Sequence, residues 1–326
     1  MHLFSRRRVL AVLSSFLLVS PLPVLAQADD FPVKPVTLVI PQAPGSGSDV
    51  VGRMLANFMA PALGQTIIAE NRPGAGGIIA HQSVKRAPAD GYTILFTSTA
   101  QLLVVPTMNS SANYTLDDFV PVAPILWAPF AVLVAETPDA PKDIPELIER
   151  IRSQPTAYAS AGMGTMTHLG TESFLRRAGL ESTHVPYQGS GAALTDLMSG
   201  QVLFATDSLT AAIRHIQSGK LRALAVTGEQ REASLPDVPT LAEVGLEGPP
   251  IGVLGGLFAP KGVPEEAAQK IKRAVEEALQ DPKLQEQFKV TESTVLSVSN
   301  EAFLEQLQQQ APFWQGLVAD LGLEVK

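Results

Sequence analysis

Short apolar runs alternate with amphipathic stretches along most of the chain, which is the pattern of an α/β protein. The predicted strands cover residues 36–40, 66–69, 92–97, 131–135, 157–159, 183–187, 202–206 and 221–226. Apolar residues at helical spacing follow several of these strands, and they predict helices over 49–63, 163–179 and 192–200. Each of these helices is stopped by a glycine.

The C-terminal part of the chain has a different pattern, with long charged helices and no strand signal. Pro264 opens one amphipathic helix and Asn300 opens a second. Pro312 lies within the second helical pattern and is expected to kink it, because proline removes one backbone hydrogen bond. The aromatic residues that follow are interpreted as packing.

The first 26 residues have the pattern of a cleaved signal peptide. Three arginines at 6–8 precede an apolar core at 9–19, and the residues at 24–26 form the cleavage site. The core is too short to span a membrane, which takes about 20 residues. We therefore expect export to the periplasm and a mature chain that begins near Gln27, by either the general or the twin-arginine route.

Composition narrows the partners of the exported chain. The sequence has no cysteine, so about 300 mature residues must rely on an apolar core, most naturally in two domains. Removing residues 1–26 takes away three arginines and no acid, which changes the net charge from −8 to −11. This charge argues against nucleic acid and anionic membranes as partners, but backbone amides can still bind a small anion.

Three loops of one kind each join a predicted strand to a predicted helix. Glycine lets the backbone approach a ligand, hydroxyl groups donate hydrogen bonds, and helix starts offer unpaired N–H groups. Since the carboxyl ends of parallel strands meet in one crevice, the loops together suggest a site for a small anion. The candidate binding residues in them are Ala43, Gly45, Ser46, Ser48, Ala161, Gly164, Thr165, Tyr187, Gly189 and Ser190.

Each loop also has a purely structural interpretation, because glycine and serine are common in turns and caps. Ser48, for example, would then cap the helix and Asp49 would answer its dipole. Asp207, at the end of another predicted strand, either accepts a hydrogen bond from a ligand or caps the next segment. Arg53 is expected to face solvent, and Arg72 is expected to tie down its own corner.

Signatures of catalysis are weak in this sequence. It has no G-x-S-x-G elbow, no complete dinucleotide-binding glycine motif and no nucleophile–base pair that stands out. Its histidines lack ligand spacing and cysteine is absent, so neither a metal site nor a cofactor is expected. The chain is predicted to hold a molecule without transforming it.

Several segments, in this order along the chain, resemble the Bug family, the extracytoplasmic receptors of tripartite tricarboxylate transporters. They are PQAPGSGSDVVGRMLA, ENRPGAGG, APADGYTILF, YASAGMGTMTHLG, THVPYQGSGAALTDLMSGQV and LPDVPTLAEVGLEG. The resemblance implies a two-lobed type II periplasmic binding fold with the ligand in the cleft between lobes. The matching motifs imply that a small carboxylate is held by three loops and one aspartate. The loops are Ala43–Asp49, 161–165 and 187–190, and the aspartate is Asp207.

The resemblance also implies the domain division and the partners. Lobe 1 is expected to comprise 27–129 and 250–326, and lobe 2 to comprise 130–249. The partners would be a di- or tricarboxylate or an acidic amino acid, and the membrane subunits of a transporter, with the receptor itself a monomer. Gln42 and Met163 depart from the family pattern, which favours a ligand that is either atypical or longer and more apolar than citrate.

Two other functions remain open at this point. The chain could present its ligand to a membrane sensor kinase in place of a transporter. It could also be an exported enzyme built on the same scaffold, although the missing nucleophile–base pair makes this the weakest of the three interpretations.

Overall fold

A computed structural model describes residues 31–44 and 46–323. The predicted signal peptide at 1–26 and Gly45 lie outside the described residues. The strands are β1 (Val36–Ile40), β2 (Ile67–Asn71), β3 (Thr93–Ser98), β4 (Phe119–Ala135), β5 (Ala157–Ser160), β6 (Thr183–Pro186), β7 (Phe204–Ser208), β8 (Leu221–Val226), β9 (Gly252–Pro260) and β10 (Thr294–Val295). The α-helices are α1 (Gly47–Leu63), α2 (Ile78–Lys85), α3 (Val105–Met108), α4 (Ile144–Ser153), α5 (Met166–Ala178), α6 (Ser190–Met198), α7 (Leu209–Gln217), α8 (Glu265–Gln280), α9 (Pro282–Val290) and α10 (Asn300–Asp320).

The strands form a curled mixed sheet whose two halves share β4. In the first half the order is β2-β1-β3-β9-β4, with β10 also paired to β4. In the second half β4 pairs with β7 and β8, and β5 and β6 continue beyond β7. The change of partners falls within β4, because Pro129 pairs with β9 whereas Phe130 pairs with β7.

The site loops follow from strand direction. β1, β2 and β3 are parallel to one another, and β3 is antiparallel to β9, which is itself antiparallel to β4. The carboxyl ends of β1 and β3 therefore point toward the point where β4 changes partners. β5 and β7 run opposite to β4, so their carboxyl ends point back toward the same region. Loops from both halves thus lead to one crevice.

Helices cover both faces of each half. In the first half, α1 and α8 pack on one face around Leu55 and Ile271, and α2 packs on the other around Phe258. In the second half, α4 and α5 cover one face, while α6 and α7 cover the other. No helix of the described residues is long and apolar enough to cross a membrane.

Helix α10 packs against both halves. Phe303 and Leu307 near its start belong to the core of the first half, whereas Trp314 and Leu317 belong to the core of the second. Pro312 lies inside the helix and does not end it. The burial of Trp314 confirms that the C-terminal aromatic residues serve packing.

The predicted strands are present, but the sequence missed most of β4, all of β9 and the two-residue β10, which lies in the C-terminal part where no strand was expected. Prolines at 121, 124 and 129 conceal β4 because they cannot donate to the ladder, and the pairing register shifts beside two of them. Glycines conceal β9, where Gly256 is packed so closely against Phe303 that a side chain would collide. The glycines of β9 are therefore explained by the aromatic rings and carbonyl groups packed against them, and not by any preference of glycine for strands.

Candidate ligand-binding site

The first loop leaves β1 at Ile40 and enters α1 at Gly47. Ser46 caps this helix, since its hydroxyl accepts the Asp49 N–H at 3.2 Å, and its own N–H donates to the Ala43 carbonyl at 3.2 Å. The interpretation of Ser48 as the cap is therefore wrong, because the helix begins one residue before it. Ser48 lies in the first turn of this helix, where backbone N–H groups have no partner within the helix.

Asp49, in the first turn of α1, links this loop to the end of β2. Its carboxylate is buried and accepts a hydrogen bond from Asn71 Nδ2 at 2.8 Å, and it pairs with Arg53 Nε at 2.9 Å. Asn71 also donates to the Gln42 carbonyl at 3.0 Å, so the end of β2 holds the end of β1. Arg53 is exposed, as the sequence predicted, and its guanidinium also completes this network at the surface.

Arg72 behaves as the sequence predicted. Its guanidinium binds both carboxylate oxygens of Glu70, at 2.7 and 3.0 Å, and its N–H donates to the Ile40 carbonyl at 2.8 Å. The hydrogen bond from Arg72 holds the pKa of Glu70 below its usual range. Arg72 therefore ties its own corner.

The second loop joins β5 to α5 and is held by internal hydrogen bonds. Thr165 caps α5 and donates its hydroxyl to the Gly162 carbonyl at 2.7 Å. The Ala161 N–H donates to Thr167 Oγ1 at 2.8 Å, and the Gly164 N–H donates to His168 Nδ1 at 3.0 Å. Two backbone donors that the sequence assigned to a ligand are thus already engaged within the protein.

A stacked pair of imidazoles supports this loop. The rings of His168 and His184 lie 3.9 Å apart with an interplanar angle of 9°. Tyr158 stacks on His184 in turn, with ring centroids 5.0 Å apart. Burial lowers the pKa of His168 to about 4, with a further contribution from His184, and burial also lowers the pKa of His184. Both rings are therefore neutral at pH 7, so His168 Nδ1 can accept the Gly164 N–H.

His184 also contacts a serine, which is the arrangement of a nucleophile and a base that the sequence did not indicate. Its Nε2 lies 2.6 Å from Ser160 Oγ, and that hydroxyl also contacts the N–H and carbonyl of Gly162. Ser160 is only 1% exposed. A buried hydroxyl engaged on several sides cannot approach a substrate, so the pair holds the loop in place.

The third loop joins β6 to α6 and is bonded to the second. The Tyr187 N–H donates to the Ser160 carbonyl at 3.0 Å, and the Gly189 N–H donates to the Ala161 carbonyl at 3.1 Å. The Tyr187 hydroxyl donates to Asp196 at 2.8 Å, so this predicted ligand donor is also engaged. In this loop the first-turn amides of α6, which begins at Ser190, remain as anion donors.

Asp207 connects the third loop to the end of β7. Its Oδ1 accepts the Ser190 hydroxyl at 2.8 Å and the Ser208 N–H at 2.7 Å. Ser208, not Asp207, caps α7 by accepting the Ala211 N–H. The capping interpretation of Asp207 therefore fails.

The other oxygen of Asp207 is unusual. The residue is 1% exposed, and within the described part of the chain Oδ2 has no hydrogen-bond partner. Burial raises the pKa of Asp207 to about 6, although the hydrogen bonds from Ser190 and Ser208 oppose the shift. An unpaired buried acceptor is costly, by about 1–3 kcal/mol, and a ligand donor would relieve that cost.

Two cavities lie away from these loops. One, of about 400 Å³, is lined by residues of 102–117 and of α10. The other, of about 700 Å³, lies between Trp127, the loop at 228–233 and the glutamines of α10. The second and third loops are joined by backbone hydrogen bonds, and Asp207 lies beside the start of α6, so these groups form the candidate site.

The comparisons with known proteins identify the family of this chain. Residues 51–323 match the model of the tripartite tricarboxylate transporter family receptors. The chain belongs to this family. The match begins just after the first site loop and covers the second, the third and Asp207.

Three solved structures of similar proteins share the fold of this receptor. The periplasmic binding protein BugD is 34% identical, with a TM-score of 0.75, over 91% of this chain and all of that one. MatC of Rhodopseudomonas palustris with bound malate is 32% identical, with a TM-score of 0.75, over 88% and 100%. Rpa4515 of R. palustris with adipate is 29% identical, with a TM-score of 0.76, over 90% and 99%. The receptor thus has the two-lobed periplasmic binding fold with the cleft between its lobes.

Proposed function

We propose that this receptor captures a small organic carboxylate in the periplasm and delivers it to the membrane subunits of a tripartite transporter. The observation that carries the proposal is the joined second and third loops, which place the start of α6 beside the half-satisfied carboxyl of Asp207. The amides bind the carboxylate, and Asp207 accepts a hydroxyl or ammonium donor of the same ligand. Malate in MatC and adipate in Rpa4515 support a diacid.

In this proposal the ligand contacts the predicted loop residues of both lobes. Lobe 1 comprises 27–129 and 250–326, and lobe 2 comprises 130–249. The change of strand partners between Pro129 and Phe130 supports the first boundary. α10 joins lobe 1 in sequence but packs its second half on lobe 2, so it must slide or bend when the cleft closes. The receptor works as a monomer, with no cofactor.

Calorimetric titration of the mature protein with malate, succinate, citrate and aspartate tests this function. At least one acid should bind with release of heat and with a ratio of one to one. Asp207→Ala should weaken that binding by about 1–3 kcal/mol, the usual cost of an unpaired buried partner. Asp237→Ala, in an exposed turn, is the matched control and should bind as the parent does. Equal affinity of the two variants in folded protein would refute the role of Asp207.

Export and delivery need separate tests. A reporter fused after residue 26 should reach the periplasm, and the uncleaved chain in the cytoplasm would contradict this. A strain that lacks the receptor should lose uptake of the acid that binds in calorimetry. Unchanged uptake in that strain would refute delivery to a transporter and leave binding intact.

A further inference from the structure

The larger of the two cavities lies where the two halves of the sheet join. Its volume of about 700 Å³ is enough for a small organic molecule. Trp127 of β4 and the glutamines of α10 form one wall, and the loop at 228–233 after β8 forms the other. Thr227, just before this loop, accepts the Ile251 N–H at 3.1 Å and donates its own N–H to the Phe130 carbonyl at 3.0 Å. The cavity therefore lies beside the connection between the halves and has walls from both.

Gly228 leaves an open corner in this cavity. Its φ lies outside the left-handed region, so the backbone at this position does not require a glycine. A Cβ there would lie 3.3 Å from Glu232 Oε1 and 3.5 Å from both the Gln230 carbonyl oxygen and Trp127 Nε1. The corner is thus bordered by two oxygen acceptors and by the indole of Trp127. Two acceptors that face one small space suit a ligand group that donates hydrogen bonds.

The charged groups at this cavity are mainly negative. Glu232 is partly buried, and its pKa is raised by burial and by the nearby Glu292. No cation among the described residues offsets these two effects. Arg231 also lines the cavity, but its Nε already binds both carboxylate oxygens of Glu243, at 2.9 and 3.1 Å. A positively charged ligand group would supply the partner that Glu232 lacks.

The α10 wall adds acceptors from its glutamines. Gln306 lines the cavity, and its Oε1 is buried without a hydrogen-bond partner among the described residues. Gln309 also lines the cavity, and because its Nε2 donates to Glu305 at 3.0 Å, its amide oxygen is left for another donor. An unpaired buried acceptor destabilises a protein, and a ligand donor in the cavity would relieve that cost.

We propose that this cavity binds a primary organic ammonium ion, with its charged group in the corner beside Gly228. The N–H donors of such an ion match Glu232 Oε1 and the Gln230 carbonyl, and the α10 wall offers further acceptors. Its apolar body packs against the prolines at 249 and 250 and against Leu254. The described residues that line this cavity all lie outside the three site loops, so the site is a second one and does not depend on the proposed function.

Calorimetric titration of the mature protein with 2-phenylethylammonium tests this site, because the probe carries an ammonium group on a short apolar body. It should bind with a ratio of one to one. The neutral analogue 2-phenylethanol lacks the charge and should bind about tenfold more weakly. The N,N,N-trimethyl form keeps the charge but has no N–H donor, and it should bind about fivefold more weakly. Excess malate should leave the ratio of one to one unchanged, because the acid binds at the loops.

Three variants locate the bound ammonium. Glu232→Gln removes the charge and keeps the shape, so the probe should bind about tenfold more weakly. Glu181→Gln, at an exposed position after α5, makes the same change in net charge and should bind the probe as the parent does. Gly228→Ala fills the corner and should also weaken binding, with little change in the thermal midpoint.

Three results would overturn the proposal. The first is that the parent protein does not bind the probe, or loses it when malate is added. The second is equal affinity for 2-phenylethylammonium and 2-phenylethanol. The third is equal affinity of folded Glu232→Gln and Glu181→Gln for the probe.

Discussion

Replacement of His168 tests whether the imidazole pair shapes the second loop. His168→Leu removes the acceptor of the Gly164 N–H, which donates to His168 Nδ1 at 3.0 Å. His168 itself is only 4% exposed. Loss of a hydrogen bond with a donor left unpaired costs about 1–3 kcal/mol, and loss of the ring stack on His184 adds about 0.5–1.5 kcal/mol. We therefore expect the free energy of unfolding to fall by about 1.5–4.5 kcal/mol, the sum of the two losses.

The same replacement should weaken ligand binding at least tenfold, because the loop loses the bond that fixes Gly164. His168→Asn is the matched variant, since its amide oxygen lies near the position of Nδ1 and can accept the same N–H. It should retain most of the affinity even if it loses the stacking. His215→Leu, on the distant end of α7, controls for the change from imidazole to isobutyl.

The measurements are urea unfolding and calorimetric titration of all three variants with the tightest acid. Equal affinities for folded His168→Leu and His168→Asn would refute the positioning role, whatever happens to stability. A fall in stability without a fall in affinity would mean that the histidine serves only the core.

Three further predictions concern charge and backbone. Burial lowers the pKa of His81 and His168 to about 4, below the 6.5 of an unfolded chain, so the unfolded chain takes up protons first. The free energy of unfolding should then fall as pH drops from about 6.5 to 4, by on the order of 3 kcal/mol per histidine in urea unfolding. The raised pKa of Asp207 opposes this fall, because the folded chain protonates Asp207 first. Arg72→Ala should change the binding free energy by less than about 1 kcal/mol in calorimetry, because the partner of Arg72 is Glu70. A loss above about 3 kcal/mol would mean that Arg72 binds the ligand carboxylate. Gly189→Ala should destabilise by about 1–3 kcal/mol in thermal unfolding, since φ is 113°, and an unchanged midpoint would contradict that strain.

Most strand positions along the chain, with β9, β10 and most of β4 excepted, and the positions of the three loops were predictable from sequence, because local patterns determine both. Alternating apolar runs indicate the strands, and Gly, Ser and Thr between a strand and a helix indicate the loops.

The partners of these groups were not predictable, because they come from distant segments. His184 meets Tyr158 through the pairing of β6 with β5, and His168 is brought over both by the packing of α5. Neither contact leaves a local sequence signal. The engagement of the Gly164 and Gly189 amides was missed for the same reason. β4 was concealed because prolines obscure a strand whose burial and bulges accommodate them.

The central claim is that a carboxylate binds between the lobes at the starts of the second-lobe helices, beside Asp207. A crystal structure of the mature protein with its tightest-binding acid tests this most directly. We predict a ligand carboxylate within hydrogen-bond distance of the first-turn amides of α6 and a ligand donor within reach of Asp207 Oδ2. A ligand bound instead in the cavity between Trp127 and α10, with the three loops empty, would contradict the account.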